Sequence, residues 1–256
     1  MQYIDGGSVG YNIAVLIKVI PDLEQIKAAS GTGQIQIEKV PLRLDILSEH
    51  AIETAVQLKE KYGGKVTGFI FGNNESIPLM KKAYAMGVDE GLVITGYKEN
   101  NPALTASVIS EKLKSLQFDI IVLGNQSADT YTGLLPGMIA SKINARLIGN
   151  VLSIEIEGKE VKARKSLEKK IEVVKAQMPV VISVTQETNQ PRLPPVMQIM
   201  AAGRKTIQSE EYKGQTPSYT LTKSRVAPKS ERKKQIFEKP EDGIQAVVRV
   251  IKEEAR

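Results

Sequence analysis

The stretch FDIIVLGNQSADTYTGLLPGMIA, residues 118–140, begins as a buried strand and ends as a helix. Its first part is apolar, β-branched and closed by Gly124, which is typical of a strand inside a parallel sheet. The loop that follows, up to Gly133, consists mainly of small and hydrogen-bonding residues. Ligands of open parallel sheets bind beyond the carboxyl ends of the strands, and the first N–H groups of a helix favour an anion. The loop is therefore predicted either to hold a phosphate-bearing ligand or to be a capped loop without one.

The chain before this stretch repeats the same strand-to-helix plan. Apolar β-branched runs closed by Gly or Pro alternate with stretches that have helical spacing. The predicted buried strands are Asn12–Ile20, Lys65–Gly72, Gly91–Gly96 and Phe118–Gly124. This alternation predicts an α/β fold with a doubly wound, mostly parallel sheet. Residues 151–177 alternate like strands with one solvent-facing side, and Met178–Thr185 is expected to rejoin the sheet.

Composition divides the chain into three parts. Residues 1–11 are predicted to be a disordered N-terminal extension, and residues 12–200 to form the α/β nucleotide-binding domain. Residues 201–256 are predicted to form an extended polar arm that ends in an amphipathic helix. The apolar face of that helix carries Ile244, Val247, Val248 and Ile251. Such an arm favours a grip on another protein, and folding back onto its own domain is the alternative.

Composition also excludes several kinds of chemistry. The 256 residues contain no cysteine and one histidine, His50, so thiolate metal sites, iron–sulfur clusters and a Ser-His-Asp triad lack their parts. His50 is expected to be a surface or interface residue, and no catalytic or metal-binding residue is predicted. The net charge of +6 is concentrated in a basic C-terminal segment with few aromatic residues, which argues against nucleic acid. No apolar run approaches the roughly 20 residues that span a bilayer, and a cytoplasmic protein without membrane insertion is expected.

The residue types at the strand ends indicate which groups could contact a ligand. Thr130 and Thr132 could donate hydroxyl hydrogen bonds to a phosphate, and Gly133 lets a phosphate approach the backbone. Gln126, Ser127 and Asp129 could address a ribose or a base edge. Lys18 lies in an otherwise apolar strand, so it must find a carboxylate partner or reach a sheet edge. A structural ion pair is the default interpretation, and contact with a phosphate is the sharper hypothesis.

Motifs spread along the chain resemble the beta subunit of the electron-transfer flavoproteins. The family's ALAMGAD element is matched by Ala83–Asp89, and its LGxQxxD loop by Leu123–Asp129. The segments AIETAVQLKEK, MPVVISV and NQPRLPPVMQIMAAGRK follow the family in the same order. The family's signature segment is matched by Ala163, Lys165, Glu168, Glu172, Val174, Pro179, Val181, Ile182 and Ser183. The resemblance covers most of the chain from Asn12 onward.

The resemblance implies an adenine-nucleotide alpha-hydrolase-like sheet and a heterodimer with an alpha subunit that holds most of a redox FAD. This chain would be an electron carrier subunit rather than an independent enzyme, and would bury an adenine nucleotide of its own. That nucleotide is AMP in ordinary members and a second FAD in electron-bifurcating ones, and Thr132 and Gly133 leave room for a pyrophosphate. Lys165 and Ser166 would lie close to the flavin domain. The implied nucleotide contacts are Leu16, Lys18, Phe71, Gly72, Asn73, Gly124, Asn125, Gln126, Ser127, Asp129, Thr130, Tyr131, Thr132, Gly133, Leu134 and Leu135.

The resemblance also assigns surfaces for partner proteins. Residues 191–200 correspond to the loop that docks redox partners, which would be dehydrogenases as donors and a quinone oxidoreductase or ferredoxin-type protein as acceptor. The implied docking residues are Pro191, Arg192, Leu193, Val196 and Met197, with Val196 as the apolar anchor. The arm and helix of residues 201–256 would embrace the alpha subunit. A stand-alone adenine-nucleotide-binding module of the universal-stress type is the alternative, and it would share the sheet but lack the arm and the docking loop.

Overall fold

A computed structural model describes residues 10–29, 34–37, 39–97, 101–214 and 235–254. The strands are β1 Tyr11–Ile17, β2 Val19–Pro21, β3 Lys27–Ala28, β4 Ile35–Gln36, β5 Leu42–Leu44, β6 Gly64–Phe71, β7 Glu90–Thr95, β8 Ile120–Gly124, β9 Arg146–Glu157, β10 Glu160–Leu167, β11 Lys170–Gln177, β12 Val180–Val184 and β13 Gln208–Glu211. The helices are α1 Ile46–Tyr62, α2 Met80–Ala85, α3 Pro102–Leu116, α4 Leu135–Ile143, α5 Val196–Arg204 and α6 Pro240–Glu254. Short 3₁₀ turns cover Leu23–Gln25 and Asn74–Leu79.

Nine strands form one sheet in the order β11-β10-β9-β12-β8-β1-β6-β7-β13. All neighbouring pairs from β9 to β13 along this order are parallel, while β10 pairs antiparallel with both β9 and β11. The α/β fold with a doubly wound, mostly parallel sheet is therefore confirmed. The run Met178–Thr185 rejoins the sheet as β12, between β8 and β9, as its apolar composition predicts.

The sheet is covered on both faces, because the side chains of its central strands alternate between two apolar cores. In β1, Ile13 and Val15 join one core, whereas Ala14 and Leu16 join the other. The first core includes buried side chains of α1 and α2, and the second includes those of α3 and α4. A near-continuous apolar run such as β1 is what two-sided burial requires.

One expected strand boundary shifts in the structure. The run Asn12–Ile20 is not one strand, because β1 ends at Ile17 and the chain then pairs as β2 with β5. Two helices begin at side-chain caps. The carboxylate of Asp45 accepts a hydrogen bond from the Leu47 N–H at 3.0 Å and caps α1, and the side chain of Asn101 accepts from the Leu104 N–H at 3.0 Å and caps α3.

The chain groups into two compact units. One contains the described residues up to Ile26 and from Ile37 to residue 214, and the expected boundary at residue 200 falls inside its helix α5. The other contains Lys27–Gln36 and the described residues 235–254, which include α6. Residues 1–9 and most of the arm, 215–234, lie outside the described residues, and β1 already begins at Tyr11.

Helix α6 is amphipathic, as its sequence predicts. One face is apolar and exposed in the structure, while its first turn carries Glu241 and Asp242, which suit the positive end of a helix dipole. The exposed apolar side chains are Ile244, Val247, Val248, Val250 and Ile251. A grip of this helix on an alpha subunit stays a prediction. In the described part of the chain, no helix has the length and apolarity that a membrane crossing requires.

Candidate functional site

A cavity of about 300 Å³ opens where the carboxyl ends of β1, β6 and β8 meet. The chain runs from β1 to β6 on one side and returns to β8 on the other, so this is the point where the strand order reverses. Parallel sheets bind ligands at such a point. All the predicted nucleotide contacts except Tyr131 line this cavity. They are Leu16, Lys18, Phe71, Gly72, Asn73, Gly124, Asn125, Gln126, Ser127, Asp129, Thr130, Thr132, Gly133, Leu134 and Leu135.

Some residues of the cavity wall were not expected from the sequence. Tyr97 lies two residues after the end of β7, so the small and polar strand end at Thr95 and Gly96 was a signal that could have found it. Pro102 and Thr105 come from the start of α3, and Ser48 comes from α1. These helix residues reach the cavity only through tertiary packing, and nothing in their local sequence marks them.

Lys18 forms the centre of the polar wall. Its ammonium donates to the Asp129 carboxylate at 2.6 Å and to the Ser127 hydroxyl at 3.0 Å, and lies 3.5 Å from the Thr130 hydroxyl. The expected carboxylate partner of Lys18 is thereby confirmed, and its contact with a phosphate stays a prediction. Burial acts to raise the pKa of Asp129, but the hydrogen bonds from Lys18 and Ser127 outweigh it and the pKa is lowered. The loop after β8 is thus fastened to the end of β1.

Asp45 fastens the same loop to α1. Besides capping the helix, its carboxylate accepts a hydrogen bond from the Ala128 N–H at 2.7 Å. Burial raises the pKa of Asp45, although the N–H groups of Ala128 and Leu47 oppose this by stabilising the charged form. Gly124 sits directly against α1, because a Cβ atom there would lie 2.7 Å from the Leu47 Cβ. The loop can therefore follow its path only with a residue that has no side chain at position 124.

The helix behind the loop begins without a side-chain cap. The first residue before α4, Leu134, makes no capping hydrogen bond, and Leu134, Leu135 and Pro136 all line the cavity. The first N–H groups of a helix carry partial positive charge and need an acceptor. Gly133 reaches the helix with a φ of 63°, a conformation that suits glycine and lets the backbone approach a ligand closely. This end of the cavity is suited to an anion.

The opposite wall of the cavity is aromatic. Phe71 and Tyr97 pack edge to face with their ring centres 5.3 Å apart, and Tyr212 lies behind Phe71 at 6.0 Å. Phe71 and Tyr97 line the cavity together with apolar residues such as Ile109. Aromatic faces bind flat rings by stacking and need no hydrogen-bond pattern to do so. The cavity therefore has a polar end and an aromatic end.

A second, larger concavity of about 720 Å³ lies beside the first. Asn125 and Gln126 line both, and Tyr131 lines only the larger one. The Asn125 amide donates to Asn150 at 3.1 Å, while its buried Oδ1 has no hydrogen-bond partner in the described part of the chain. Ser166, Leu167 and Glu168 form another part of its wall, whereas Lys165 does not line it. Asn125 and Gln126 thus form the partition between the two spaces.

The predicted docking residues divide into two groups. Leu193, Val196 and Met197 are exposed, with 94%, 71% and 76% of their surfaces accessible. Pro191 and Arg192 are only partly exposed, and the Arg192 guanidinium hydrogen-bonds to Glu53 and Glu60 of α1. His50, expected to be a surface or interface residue, is 6% exposed and its ring contacts Asn189 at 3.1 Å, so it lies against another segment of the chain and not on the surface. Its helix lies under the segment that leads to the docking residues, which the sequence alone does not reveal.

The family of the chain follows from comparison with known proteins. A family model described as electron transfer flavoprotein domain matches residues 32–213. The electron transfer flavoprotein subunit beta of Thermoanaerobacterium thermosaccharolyticum is 31% identical over 196 residues, which cover 76% of this chain and 75% of the relative. This chain belongs to the electron transfer flavoprotein family. Beta subunits from Bacillus subtilis and Clostridium acetobutylicum are also similar, at 28% identity over 96% of this chain and 99% of the relative, and 30% over 77% and 76%.

Membership in the electron transfer flavoprotein family confirms the resemblance that the motifs indicated. The loop Leu123–Asp129 and the element Ala83–Asp89 both lie within the matched residues. In the described part of the chain, no group of three or more His, Asp or Glu residues is arranged to hold a metal ion.

Replacing Gly124 with alanine should destabilise the protein and distort the loop of residues 124–133 that follows β8. The added methyl group would collide with Leu47 of α1, and overpacking of this kind costs roughly 1–3 kcal/mol. Gly137→Ala is the matched control, because it lies in α4 with nothing within 4 Å of the added Cβ. The control should gain roughly 0.5–1 kcal/mol, since alanine favours helix. Urea unfolding of both variants measures the difference, and equal stabilities would contradict the close packing of Gly124 on α1.

The Lys18–Asp129 pair should make stability depend on pH in a defined direction. Because the folded pKa of Asp129 is lowered, the pair stabilises the fold above the ordinary aspartate pKa of about 3.9 and is lost as pH falls further. Lys18→Met should therefore cost roughly 1–2 kcal/mol near pH 7, and this cost should shrink below about pH 4.

The control for this measurement is Lys65→Met, which removes an exposed pair with Glu90. That pair should contribute little at any pH, because solvent screens it. Urea unfolding between pH 7 and pH 3 gives both curves. A cost of Lys18→Met that stays constant over this range would contradict the assignment of the ion pair.

Proposed function

We propose that this chain is the beta subunit of a heterodimeric electron-transfer flavoprotein, and that its 300 Å³ cavity holds the adenosine phosphate portion common to AMP and FAD. Family membership supports the subunit role. Nucleotide binding is supported by one observation: the same cavity combines an aromatic wall with the start of a helix, α4, that has no side-chain cap. In such a heterodimer, electrons from a dehydrogenase pass to an acceptor through FAD, which supplies the redox chemistry when it is bound.

The two ends of the cavity match the two ends of an adenosine phosphate. The base would lie at the aromatic end, against Phe71 and Tyr97, where stacking needs no side-chain hydrogen bonds. The phosphate would lie at the start of α4, where Thr132, Gly133 and the first N–H groups of the helix meet. Lys18 stands between the ends, and part of its charge is already neutralised by Asp129. The residues of the cavity therefore fit the group that the family implies.

The size of the cavity bears on which nucleotide occupies it. About 300 Å³ is at the lower end of the roughly 300–1,000 Å³ range of ligand sites, and suits a mononucleotide. A second FAD would need space for its flavin beyond the cavity. That space exists in the neighbouring concavity of about 720 Å³, reached past Asn125 and Gln126. The unpartnered Oδ1 of Asn125 lies at this partition and would accept a hydrogen bond from the longer ligand.

The concavity and the docking residues supply the contacts that an electron carrier needs with other proteins. Where the cavity holds AMP, the redox FAD held by the alpha subunit would face the concavity, with Ser166 in its wall and Lys165 on the same strand β10. Leu193, Val196 and Met197 would meet the redox partners, since a few exposed apolar anchors are typical of transient recognition. The C-terminal arm and α6 would hold the alpha subunit. A cytoplasmic location and the identities of donor and acceptor belong to this proposal as well.

A stand-alone nucleotide-binding module is the less favoured function. Such a module would have no use for the exposed apolar side chains of α5, which include Val196, Met197 and Met200. The match to the electron transfer flavoprotein domain extends through these residues, since it covers residues 32–213.

The bound nucleotides of the purified heterodimer should distinguish the two forms of this proposal. The complex is produced with its alpha subunit, denatured, and the released AMP and FAD are separated by chromatography and quantified. One FAD with one AMP per heterodimer identifies an ordinary electron carrier, and two FAD per heterodimer identify a bifurcating one. A heterodimer that retains one FAD and no second adenine nucleotide would contradict occupancy of the cavity.

Replacing Phe71 with alanine should weaken nucleotide retention in the cavity. Stacking on an aromatic side chain contributes about 1–3 kcal/mol per base, so the nucleotide should bind about tenfold more weakly or worse. Phe118→Ala is the control, because Phe118 packs edge to face on Phe69 at 5.6 Å but does not line the cavity. Equilibrium dialysis with AMP after removal of the resident nucleotide gives both affinities. Equal weakening by the two variants would mean a general loss of packing and would contradict the base position.

A further inference from the structure

We propose that Arg192 is a positioning residue that holds the exposed apolar face of α5 and its entry loop in a fixed place on α1, rather than a residue that contacts redox partners. The face consists of Leu193, Val196, Met197, Ile199 and Met200. The inference rests on the docking role proposed for this face. It assigns to Arg192 a different task from that of its exposed neighbours.

The guanidinium of Arg192 already has its hydrogen bonds within the chain. Nε and Nη2 donate to the two carboxylate oxygens of Glu53 at 2.8 and 3.0 Å. Nη1 and Nη2 donate to the two oxygens of Glu60 at 2.6 and 2.9 Å. The Arg192 backbone N–H also donates to Glu53, at 3.1 Å. Two carboxylates held in this forked manner use most of the five N–H donors of an arginine, which leaves few for a partner protein.

The two carboxylates differ in how firmly they are held. The Glu53 side chain is 4% exposed, whereas the Glu60 side chain is 52% exposed. The hydrogen bonds from Arg192 lower the pKa of Glu60, and they lower that of Glu53 although burial opposes the shift. Glu53 is thus a buried charge whose cationic partner is Arg192, with Gln57 as a further donor at 2.7 Å, and a buried charge without its partner is costly. The arginine is part of the structure of the free chain.

The segment before Arg192 is fixed to the same helix. The Asn189 amide donates to the Thr54 hydroxyl at 2.7 Å and to the His50 carbonyl at 3.2 Å, and its oxygen contacts the His50 ring at 3.1 Å. Residues 189–192 therefore lie along three turns of α1. Immediately afterwards the chain carries Leu193, whose surface is 94% accessible. Arg192, which is bonded to α1, and the exposed Leu193 are therefore neighbours in the chain.

The far end of α5 is fixed as well. Ala202 is buried, and Lys81 of α2 donates to the Gly203 carbonyl at 2.9 Å. Lys205 donates to the Asp89 carbonyl at 3.1 Å and lies over the Tyr84 ring. A short helix held at both ends presents its exposed side chains in one geometry. Preorganisation of this kind strengthens binding, because fewer side chains must be ordered when the partner arrives.

The test compares four variants of the purified heterodimer in electron transfer from a purified flavin dehydrogenase that reduces it. The variants are Arg192→Ala, Arg192→Lys, Glu60→Gln and Val196→Asp, with Lys65→Ala as a control that removes a distant exposed ion pair. Two quantities are measured: the KM and kcat with the heterodimer as the varied substrate, and amide hydrogen exchange of α5 against that of β1 and β8. Melting temperature and bound nucleotide are measured for each variant as a check of folding. If Arg192→Ala does not fold, Glu60→Gln still weakens the contact between Arg192 and α1 and can be tested in its place.

If Arg192 positions the docking face, Arg192→Ala should raise KM about tenfold with kcat unchanged, since newly ordering even one or two side chains weakens binding by up to about that factor. Exchange should quicken in α5 and not in β1 or β8. Glu60→Gln should raise KM by a smaller factor, about two- to threefold, because Glu53 still holds the fork. Arg192→Lys should recover part of the loss, and Lys65→Ala should match the parent.

Two results would overturn the inference. In the first, Arg192→Ala raises KM, Glu60→Gln does not, and both variants keep the parental hydrogen exchange of α5. This result would mean that Arg192 contacts the partner directly. Parental KM and parental exchange in Arg192→Ala would mean that α5 needs no clamp. If the docking role itself is wrong, Val196→Asp should leave KM at the parental value. The hydrogen exchange of α5 in Arg192→Ala would still show whether Arg192 holds this helix in place.

Discussion

One buried carboxylate, that of Asp45, connects the parts of this molecule on which its proposed functions depend. One of its oxygens caps α1 through the Leu47 N–H, and the other holds the loop of residues 124–133 through the Ala128 N–H. Its own backbone N–H donates to the Lys18 carbonyl at 2.9 Å, which joins the end of β1 to the same point. A charged group is expensive to bury unless its oxygens accept hydrogen bonds. The start of α1 and the loop after β8 must therefore come together for the carboxylate to be tolerated, and the backbone hydrogen bond to Lys18 adds the end of β1 to the same point.

Helix α1, which Asp45 caps, supports two distant segments of the molecule. Its first turn supports the loop of residues 124–133, with Leu47 against Gly124 and the Ser48 hydroxyl accepting from the Lys18 N–H at 2.9 Å. Its later turns support the docking segment through Glu53, Thr54 and Glu60. A helix can serve two surfaces in this way because it is rigid over its length and buries one stripe in the core. Residues that look like an ordinary amphipathic helix in the sequence thus support both the loop that lines the cavity and the segment for which a docking role is proposed.

The sequence predicts the parts of the structure that depend on local pattern. Periodicity predicts the buried strands, the strands of residues 151–177 with one solvent-facing side, and the amphipathic α6. The ligand cavity follows from strand ends, because parallel strands bring their carboxyl ends to one edge. The pattern does not show which of several polar residues pair with each other. The sequence predicts His50 to be a surface or interface residue and Arg192 to be a docking residue. Only the packing of residues 189–192 on α1 shows that His50 is buried and that the Arg192 guanidinium is paired with Glu53 and Glu60.

A docking face that meets its partners briefly, as proposed for α5, cannot gain affinity from a large buried area. Rigidity offers another route, since a preorganised face loses less conformational entropy on binding and can therefore remain small. The structure holds two segments in place in this way, because Asp45 and Lys18 fix the loop of residues 124–133 and Arg192 fixes the segment that leads into α5. At these positions the charged residues set the geometry of the fold.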